Sequence, residues 1–106
     1  MGTIDIAGRQ LEVNDEGFLA HPEEWSEELA VHLARREEGV EQMTEEHWAV
    51  LRFIRQHFEA TQSAPMVRSI CKTTGVPLKR VYELFPSGPA KGACKVAGLP
   101  KPDGCV

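Results

Sequence analysis

The sequence lacks the features that would place it at once in a membrane or secreted class. No apolar run approaches the roughly 20 residues that a membrane-spanning helix needs. No basic region precedes an apolar stretch at the N-terminus, which predicts no signal peptide and a cytoplasmic location. With only three cysteines, a structural disulfide framework is not expected there. The cysteines are therefore interpreted as free thiols, and their reactivity becomes the question.

Acidic residues are scarce in one half of the chain. The 106 residues carry a net charge of −4, but residues 61–106 hold 2 Asp and Glu against 7 Lys and Arg, a balance of +5. Residues 1–60 hold 14 Asp and Glu against 5 Lys and Arg, a balance of −9. The basic half predicts an anionic ligand or an acidic partner on that side. The length allows one globular domain.

Hydrophobic periodicity predicts a mainly helical α+β fold that begins with a β-hairpin. Alternation with a period of two over residues 4–6 and 11–13 predicts the two strands. Trp25 lies on the apolar stripe of the first predicted helix, Thr44 is the predicted N-cap of the second, and Pro65 is predicted in the first turn of the third. The predicted helices cover residues 23–37, 45–60, 64–75, 78–85 and 89–97.

The composition changes after Gly98, the predicted C-cap of the fifth helix. Pro100 and Pro102 forbid a helix there, and no apolar periodicity remains. The sequence therefore predicts a domain over residues 1–97 and a flexible C-terminal arm over residues 98–106. The stiff part of such an arm reaches on the order of 20 Å at about 3.1 Å per residue.

Cys94 and Cys105 are the residues most suited to carry chemistry. Cys94 lies on the fifth predicted helix, and Cys105 lies one residue from the end of the arm. Unlike a C-x-x-C pair, these thiols meet only if the arm folds back. Two states are predicted: a thiol that reaches outward and a thiol returned to Cys94. The alternative is that Cys105 is an accidental thiol on a frayed terminus. Cys71 shares an apolar face with neighbouring residues and is predicted to be buried and inert.

Three lysines flank these thiols in the sequence: Lys91, Lys95 and Lys101. Cationic neighbours stabilise a thiolate, and they would also favour a docked sulfur oxyanion. The alternative is a solvated basic patch. No metal site is predicted, because the histidines are scattered through the acidic half and the cysteines form no close pair.

Residues 67–85 have the pattern of a helix-turn-helix, with Gly75 in the turn. Lys79 and Arg80 would begin the second helix, where DNA-binding versions contact bases. The acidic half would oppose DNA phosphates, so plain architecture is favoured and nucleic acid is not an expected partner.

A long motif at residues 84–106, LFPSGPAKGACKVAGLPKPDGCV, closely resembles the ending of the DsrC/TusE sulfur-carrier family. EEHW at 45–48, APMVR at 64–68 and DEGFL at 15–19 are also similar to segments of that family. The TusE branch, which relays sulfur toward tRNA thiolation, keeps only the penultimate cysteine. Because Cys94 is also present, the resemblance is to the DsrC branch, which is associated with dissimilatory sulfite reductase.

The resemblance implies a sulfur carrier and co-substrate with no cofactor and no catalytic centre of its own. Cys105 would meet sulfur near the siroheme of the reductase's catalytic subunits, and the sulfur would leave as a trisulfide between Cys105 and Cys94. A membrane-bound thiol–disulfide reductase complex would then release sulfide, and sulfurtransferases are further expected partners. The rival interpretations are a TusE-like relay, against which Cys94 argues, and a helix-turn-helix regulator.

Overall fold

The computed structural model describes residues 2–6 and 8–100, so Cys105 and Lys101 lie outside the described residues. A 3-10 turn at Pro22–Glu24 precedes the first α-helix, and a π-helix at Pro89–Cys94 follows the last. The predicted α+β class with an N-terminal hairpin is confirmed. The strands and α-helices are β1 Gly2–Ile6, β2 Arg9–Val13, α1 Glu27–Glu38, α2 Glu45–Thr61, α3 Val67–Thr74 and α4 Leu78–Leu84.

The hairpin pairs β1 and β2 antiparallel, with Ile4 opposite Leu11. The period-two pattern turns Leu11 and Val13 into the core, while Gln10 stays exposed. A two-stranded hairpin is marginal by itself. It is therefore stabilised by the apolar residues that it buries together with the helices.

The two long helices begin at side-chain caps. Ser26 accepts a hydrogen bond from the Leu29 N–H, so α1 begins later than predicted and Trp25 lies before it in an extended conformation. The predicted cap at Thr44 is confirmed, and His47 completes a capping box. Both caps satisfy backbone N–H groups that have no partner within the helix.

The predicted start of α3 is wrong. Pro65 lies outside the helix, because Met66 is extended (φ −71°, ψ 148°) and serves as the N-cap. The apolar side chains of α4 are buried only in part. Val81 is fully buried, whereas Leu78 and Tyr82 are 46% and 51% exposed.

One continuous core joins the hairpin, the helices and the C-terminal turn. Leu99 belongs to it, with 1% of its surface exposed, so this residue of the predicted arm lies in the core. Within the described part of the chain, no helix is long and apolar enough to cross a membrane. The largest fully buried side chains are Phe18, Phe85, Leu11, Leu19, Leu33, Leu51, Ile54, Ile70, Leu99, Val50, Val81 and Val96.

Candidate functional site

Cys94 lies on a short helix that we call the thiol helix, residues 89–96. Its extent agrees with the sequence prediction, but residues 89–94 are wound as a π-helix. Gly88 at φ +92° and Pro89 begin this helix. Gly92 lies where a Cβ would be 2.5 Å from Glu38 Oε1, so the helix packs closely against the end of α1. π-Helical turns are rare overall, and those that do occur are often found at functional sites.

The Cys94 thiol is buried, with no exposed surface. Burial raises the pKa of Cys94 to about 12, because a thiolate is poorly solvated in the interior. The protonated thiol is therefore the form that this conformation holds at neutral pH. Cys94 must be uncovered before it can act as a nucleophile, since the thiolate is the reactive form.

The lysines predicted to support a thiolate are arranged differently from that prediction. Lys95 Nζ lies 3.5 Å from Glu37 Oε1 and 5.3 Å from the centre of the Phe18 ring. Lys91 is exposed on the thiol helix. Burial is the cause that raises the pKa of Cys94, and no cationic neighbour contributes to the shift. Lys101, the third of these lysines, lies outside the described residues.

Cys71, predicted to be buried, is half-buried and packs against the core from α3. Its carbonyl accepts the Gly75 N–H at 3.0 Å, which is a contact of the helix end and not of a site. Cys71 and Cys94 therefore differ in accessibility within one molecule.

Two side chains that the sequence analysis did not select hold the end of the thiol helix. The Trp25 indole N–H donates to the Val96 carbonyl at 2.8 Å. Arg55 Nη1 donates to the Ala97 and Pro22 carbonyls, each at 3.2 Å. The Arg55 guanidinium also stacks on the Trp25 ring, 4.7 Å from its centre. The only signal for Arg55 in the sequence is a charge beside the apolar stripe of α2.

The start of the thiol helix is held by the end of α1. Glu38 Oε1 accepts the Ser87 N–H at 2.8 Å. At its other end, the chain turns back so that the Leu99 N–H donates to the Cys94 carbonyl at 3.2 Å. The helix that carries buried Cys94 is thus held at both ends by hydrogen bonds to its backbone.

The helix-turn-helix pair is present as α3 and α4, joined at Gly75. Arg80 is occupied within the molecule, because its Nη2 and Nη1 lie 2.7 Å from Glu46 and 3.2 Å from Glu83. Lys79 stays exposed. One of the two cations predicted for base contacts therefore serves intramolecular ion pairs.

No cluster of His, Cys, Asp or Glu suited to a metal ion occurs within residues 2–6 and 8–100. The arrangement can instead bury, and on opening present, one thiol at the root of the C-terminal residues.

Comparison with known proteins places this arrangement in a family of sulfur carriers. The family profile described as DsrC like protein matches residues 5–106, and the chain belongs to that family, the DsrC/TusE sulfur carriers. It is 44% identical to the gamma subunit of the dissimilatory-type sulfite reductase of Nitratidesulfovibrio vulgaris, over the full length of both chains. It is also 39% identical to the sulfurtransferase TusE of Escherichia coli, covering 93% of this chain and 95% of that protein.

The fold is shared with solved structures. The crystal structure of the oxidized gamma subunit of dissimilatory sulfite reductase (DsrC) from Archaeoglobus fulgidus superposes with a TM-score of 0.86. It is 42% identical, and the alignment covers 98% of this chain and 99% of that one. The resemblance that the motif at residues 84–106 predicts is therefore confirmed.

Proposed function

We propose that the protein is a sulfur carrier and co-substrate of a dissimilatory sulfite reductase, and that Cys105 and Cys94 carry the sulfur between them. The observation that supports this most is the position of Cys94. Its carbonyl accepts the Leu99 N–H, and only six residues lead from Leu99 to Cys105. Six residues span at most about 20 Å, so chain length alone keeps the second thiol within reach of the first.

The proposed uptake step consumes one sulfite, the two thiols, two electrons and four protons, and yields one trisulfide and three waters. Three sulfur–oxygen bonds break, and two sulfur–sulfur bonds form, one to Cys105 and one to Cys94. The catalytic subunits of the reductase, which hold the siroheme, supply the two electrons. The carrier contributes both thiols and the tether that joins them, and in this proposal it acts as a co-substrate, not as an enzyme.

Release needs four electrons and four protons, which return the trisulfide to two thiols and one sulfide. A membrane-bound thiol–disulfide reductase complex is the proposed donor. Exposed Lys91, together with Lys101, supplies positive charge that favours a sulfur oxyanion near the thiols, whereas the charge of Lys95 is paired with Glu37.

Burial of Cys94 supports a division of labour between the two cysteines. In the described conformation Cys94 is protonated and enclosed, so it cannot make the first contact with sulfur on a partner. We assign that contact to Cys105. Cys94 then attacks the sulfur that Cys105 has acquired, since thiolate attack on a sulfur–sulfur bond requires a free thiolate close by.

The test is sulfur uptake by Cys94→Ser and Cys105→Ser, with Cys71→Ser as the matched control. Each variant is incubated with purified reductase catalytic subunits, sulfite and an electron donor, and its intact mass is measured. Wild type and Cys71→Ser are expected to gain one sulfur atom less two hydrogens. Cys94→Ser is expected to stall with sulfur on Cys105, and Cys105→Ser to gain nothing.

Two outcomes would contradict the proposal. A Cys105→Ser protein that gained sulfur at Cys94 would reverse the assigned order of the cysteines. Sulfite turnover at the wild-type rate with both Cys94→Ser and Cys105→Ser would exclude the proposed carrier function.

A relay toward tRNA thiolation is the second candidate, favoured by the 39% identity to TusE. In that function Cys94 is dispensable. Transfer of persulfide sulfur from a sulfurtransferase to Cys105 at an equal rate in wild type and Cys94→Ser, without uptake from sulfite, would favour the relay.

A further inference from the structure

Trp25 and Arg55, which we call the latch, bind consecutive carbonyls at the end of the thiol helix. Trp25 binds the Val96 carbonyl at 2.8 Å, and Arg55 binds the Ala97 carbonyl at 3.2 Å. Carbonyls in the last turn of a helix have no partner within the helix, and cations are favourable there. The latch therefore supplies from other elements the groups that this helix end lacks.

The two latch side chains form one unit. The Arg55 guanidinium lies 4.7 Å from the centre of the Trp25 ring, a cation–π distance. The guanidinium is planar with several fixed donors, so one group stacks on the ring and binds two carbonyls at once. The side chain of Arg55 is 12% exposed, which places these contacts away from most solvent. Loss of either side chain would weaken the contacts of the other.

The turn beneath the latch is hydrogen-bonded to the backbone of Cys94. Gly98 is left-handed at φ +77° and lies so close to Trp25 that a Cβ would overlap the ring. The next residue, Leu99, is buried and donates its N–H to the Cys94 carbonyl. Residues 97–99 are therefore tied to the backbone of Cys94, and opening this turn frees the Cys94 carbonyl.

The closed arrangement contains two features that reduce its stability. The thiol helix is π-wound over residues 89–94, a winding that is rare in proteins compared with the α-helix. Arg55 Nε is buried without a hydrogen-bond partner among the described residues. Limited stability of the closed state would allow the end of the thiol helix to open locally and so to adopt two arrangements.

We propose that Trp25 and Arg55 are positioning residues for the thiol chemistry: their release of residues 97–99 uncovers Cys94 and lengthens the tether of Cys105. When closed, the tether runs six residues from Leu99, or about 20 Å. When open, it runs nine residues from Val96, or about 30 Å. The inference rests on the proposed function, because uncovering Cys94 matters only if Cys94 takes sulfur from Cys105.

The test measures alkylation of Cys94 in a Cys105→Ser background, with Cys71 as the internal reference. Trp25→Phe removes the indole N–H and keeps an aromatic ring. Arg55→Lys keeps the positive charge and removes the planar guanidinium with its several N–H donors. Each is expected to raise the iodoacetamide labelling rate of Cys94 about tenfold, as for the loss of one buried hydrogen bond from the closed state. The labelling rate of Cys71 is expected to stay within about twofold, since a local opening does not reach it.

The chain provides a matched control in a second Trp–Arg pair. Arg52 stacks on Trp48, with 5.7 Å between the guanidinium and the ring centre, and it pairs with Glu27 on the surface. Trp48→Phe and Arg52→Lys repeat the same chemical changes at a pair whose described partner is Glu27 of α1, not a carbonyl of the thiol helix. They are expected to leave Cys94 labelling within about twofold of the parent, because their contacts do not hold the thiol helix.

Hydrogen exchange of the wild-type protein keeps the inference testable if the latch variants fail to fold. The Gly98 and Leu99 amides are expected to exchange through a smaller opening than the Leu51 amide in α2, and to exchange together. Exchange of all three amides only by global unfolding would overturn the latch.

Two labelling results would also overturn it: unchanged Cys94 labelling in both folded variants, or equal acceleration at Cys94 and Cys71, which marks general destabilisation. Neither experiment contains sulfite or a partner, so the carrier function is tested separately by sulfur uptake in Cys105→Ser.

Discussion

Cys94 is a thiol whose environment suppresses its reactivity. Its burial raises the pKa to about 12, so at pH 8 the protonated thiol strongly predominates over the thiolate. In Cys105→Ser, the alkylation rate of Cys94 is expected to rise about tenfold per pH unit from pH 7 to 10, without a plateau. The same pH dependence is expected whether the reagent reaches the Cys94 thiolate in the closed form or only after the turn opens. In the second case, ionisation of the thiol itself favours the open form.

Timed iodoacetamide labelling with mass mapping measures this rate, and circular dichroism checks that the fold persists at each pH. A plateau below pH 10 would show an ordinary thiol and contradict the enclosed Cys94.

Gly98 and Gly75 allow the packing at the latch to be separated from backbone strain. Both are left-handed, at φ +77° and +75°, but only Gly98 lies against a side chain, Trp25. Gly75→Ala is expected to lower the free energy of unfolding by about 1–2 kcal/mol through backbone strain. Gly98→Ala is expected to lower it by about 1–3 kcal/mol more, because the added methyl group overpacks the ring. Urea denaturation measures both, and equal losses would show that the contact with Trp25 contributes nothing.

At the scale of elements, His47 links the start of α2 to the end of α4. Its Nδ1 accepts the Thr44 N–H at 3.0 Å, and its Nε2–H donates to the Leu84 carbonyl at 3.1 Å. Protonation of Nδ1 would remove that acceptor. Desolvation is the main reason that the pKa of His47 lies below its ordinary value of 6.5.

The direction of the pH dependence follows from this lowered pKa. Below about pH 6.5 the unfolded chain binds a proton at His47 that the folded chain resists, so stability is lost as pH falls toward the folded-state pKa. His47→Gln keeps a capping side chain that does not titrate. The fall in unfolding free energy between pH 6.5 and 5, measured in urea, is expected to be shallower in this variant. An identical slope in both proteins would exclude His47 as the cause.

Local signals predicted most of the elements. Thr44, Gly39 and Gly75 mark helix ends by their own chemistry, and the alternation around Leu11 marks the hairpin. Boundaries failed where a neighbouring residue changed the backbone, as extended Met66 does for α3. The π-winding of residues 89–94 was not predictable, because the apolar spacing of so short a helix does not distinguish it from an α-helix.

Of the candidate site, only the two cysteines were predictable from the sequence. Cys94 and Cys105 are visible in the sequence, and the family motif singles them out. The enclosure of Cys94 depends on hydrogen bonds that join residues 71 and 42 positions apart, from Trp25 to Val96 and from Arg55 to Ala97. No local pattern encodes such pairings, since each partner has another plausible role in its own helix.

At the scale of the whole molecule, the separation of charge bears on nucleic acid. The basic residues of α3 and α4 belong to a half with a balance of +5, beside a half with −9. Arg80 is already paired with Glu46 and Glu83. We expect no retardation of duplex DNA in a mobility-shift assay at physiological salt, because the acidic half opposes phosphate contacts. A shifted band that is lost in Lys79→Gln would revive the helix-turn-helix regulator.

The long sequence separation of the latch contacts has a consequence for folding kinetics. Contacts between residues far apart in sequence form late, because closing the intervening chain costs entropy first. The hairpin and the pair of α2 and α3 can assemble from residues close together in sequence. The hydrogen bond between Trp25 and Val96 instead requires most of the chain to be brought together. Trp25→Phe is therefore expected to accelerate unfolding and to leave the refolding rate nearly unchanged in a chevron plot. Slower refolding would instead place the thiol helix in the folding nucleus. During synthesis, the hairpin and helices α1 to α4 emerge before the thiol helix, so a nascent chain would bury Cys94 only after those elements are available.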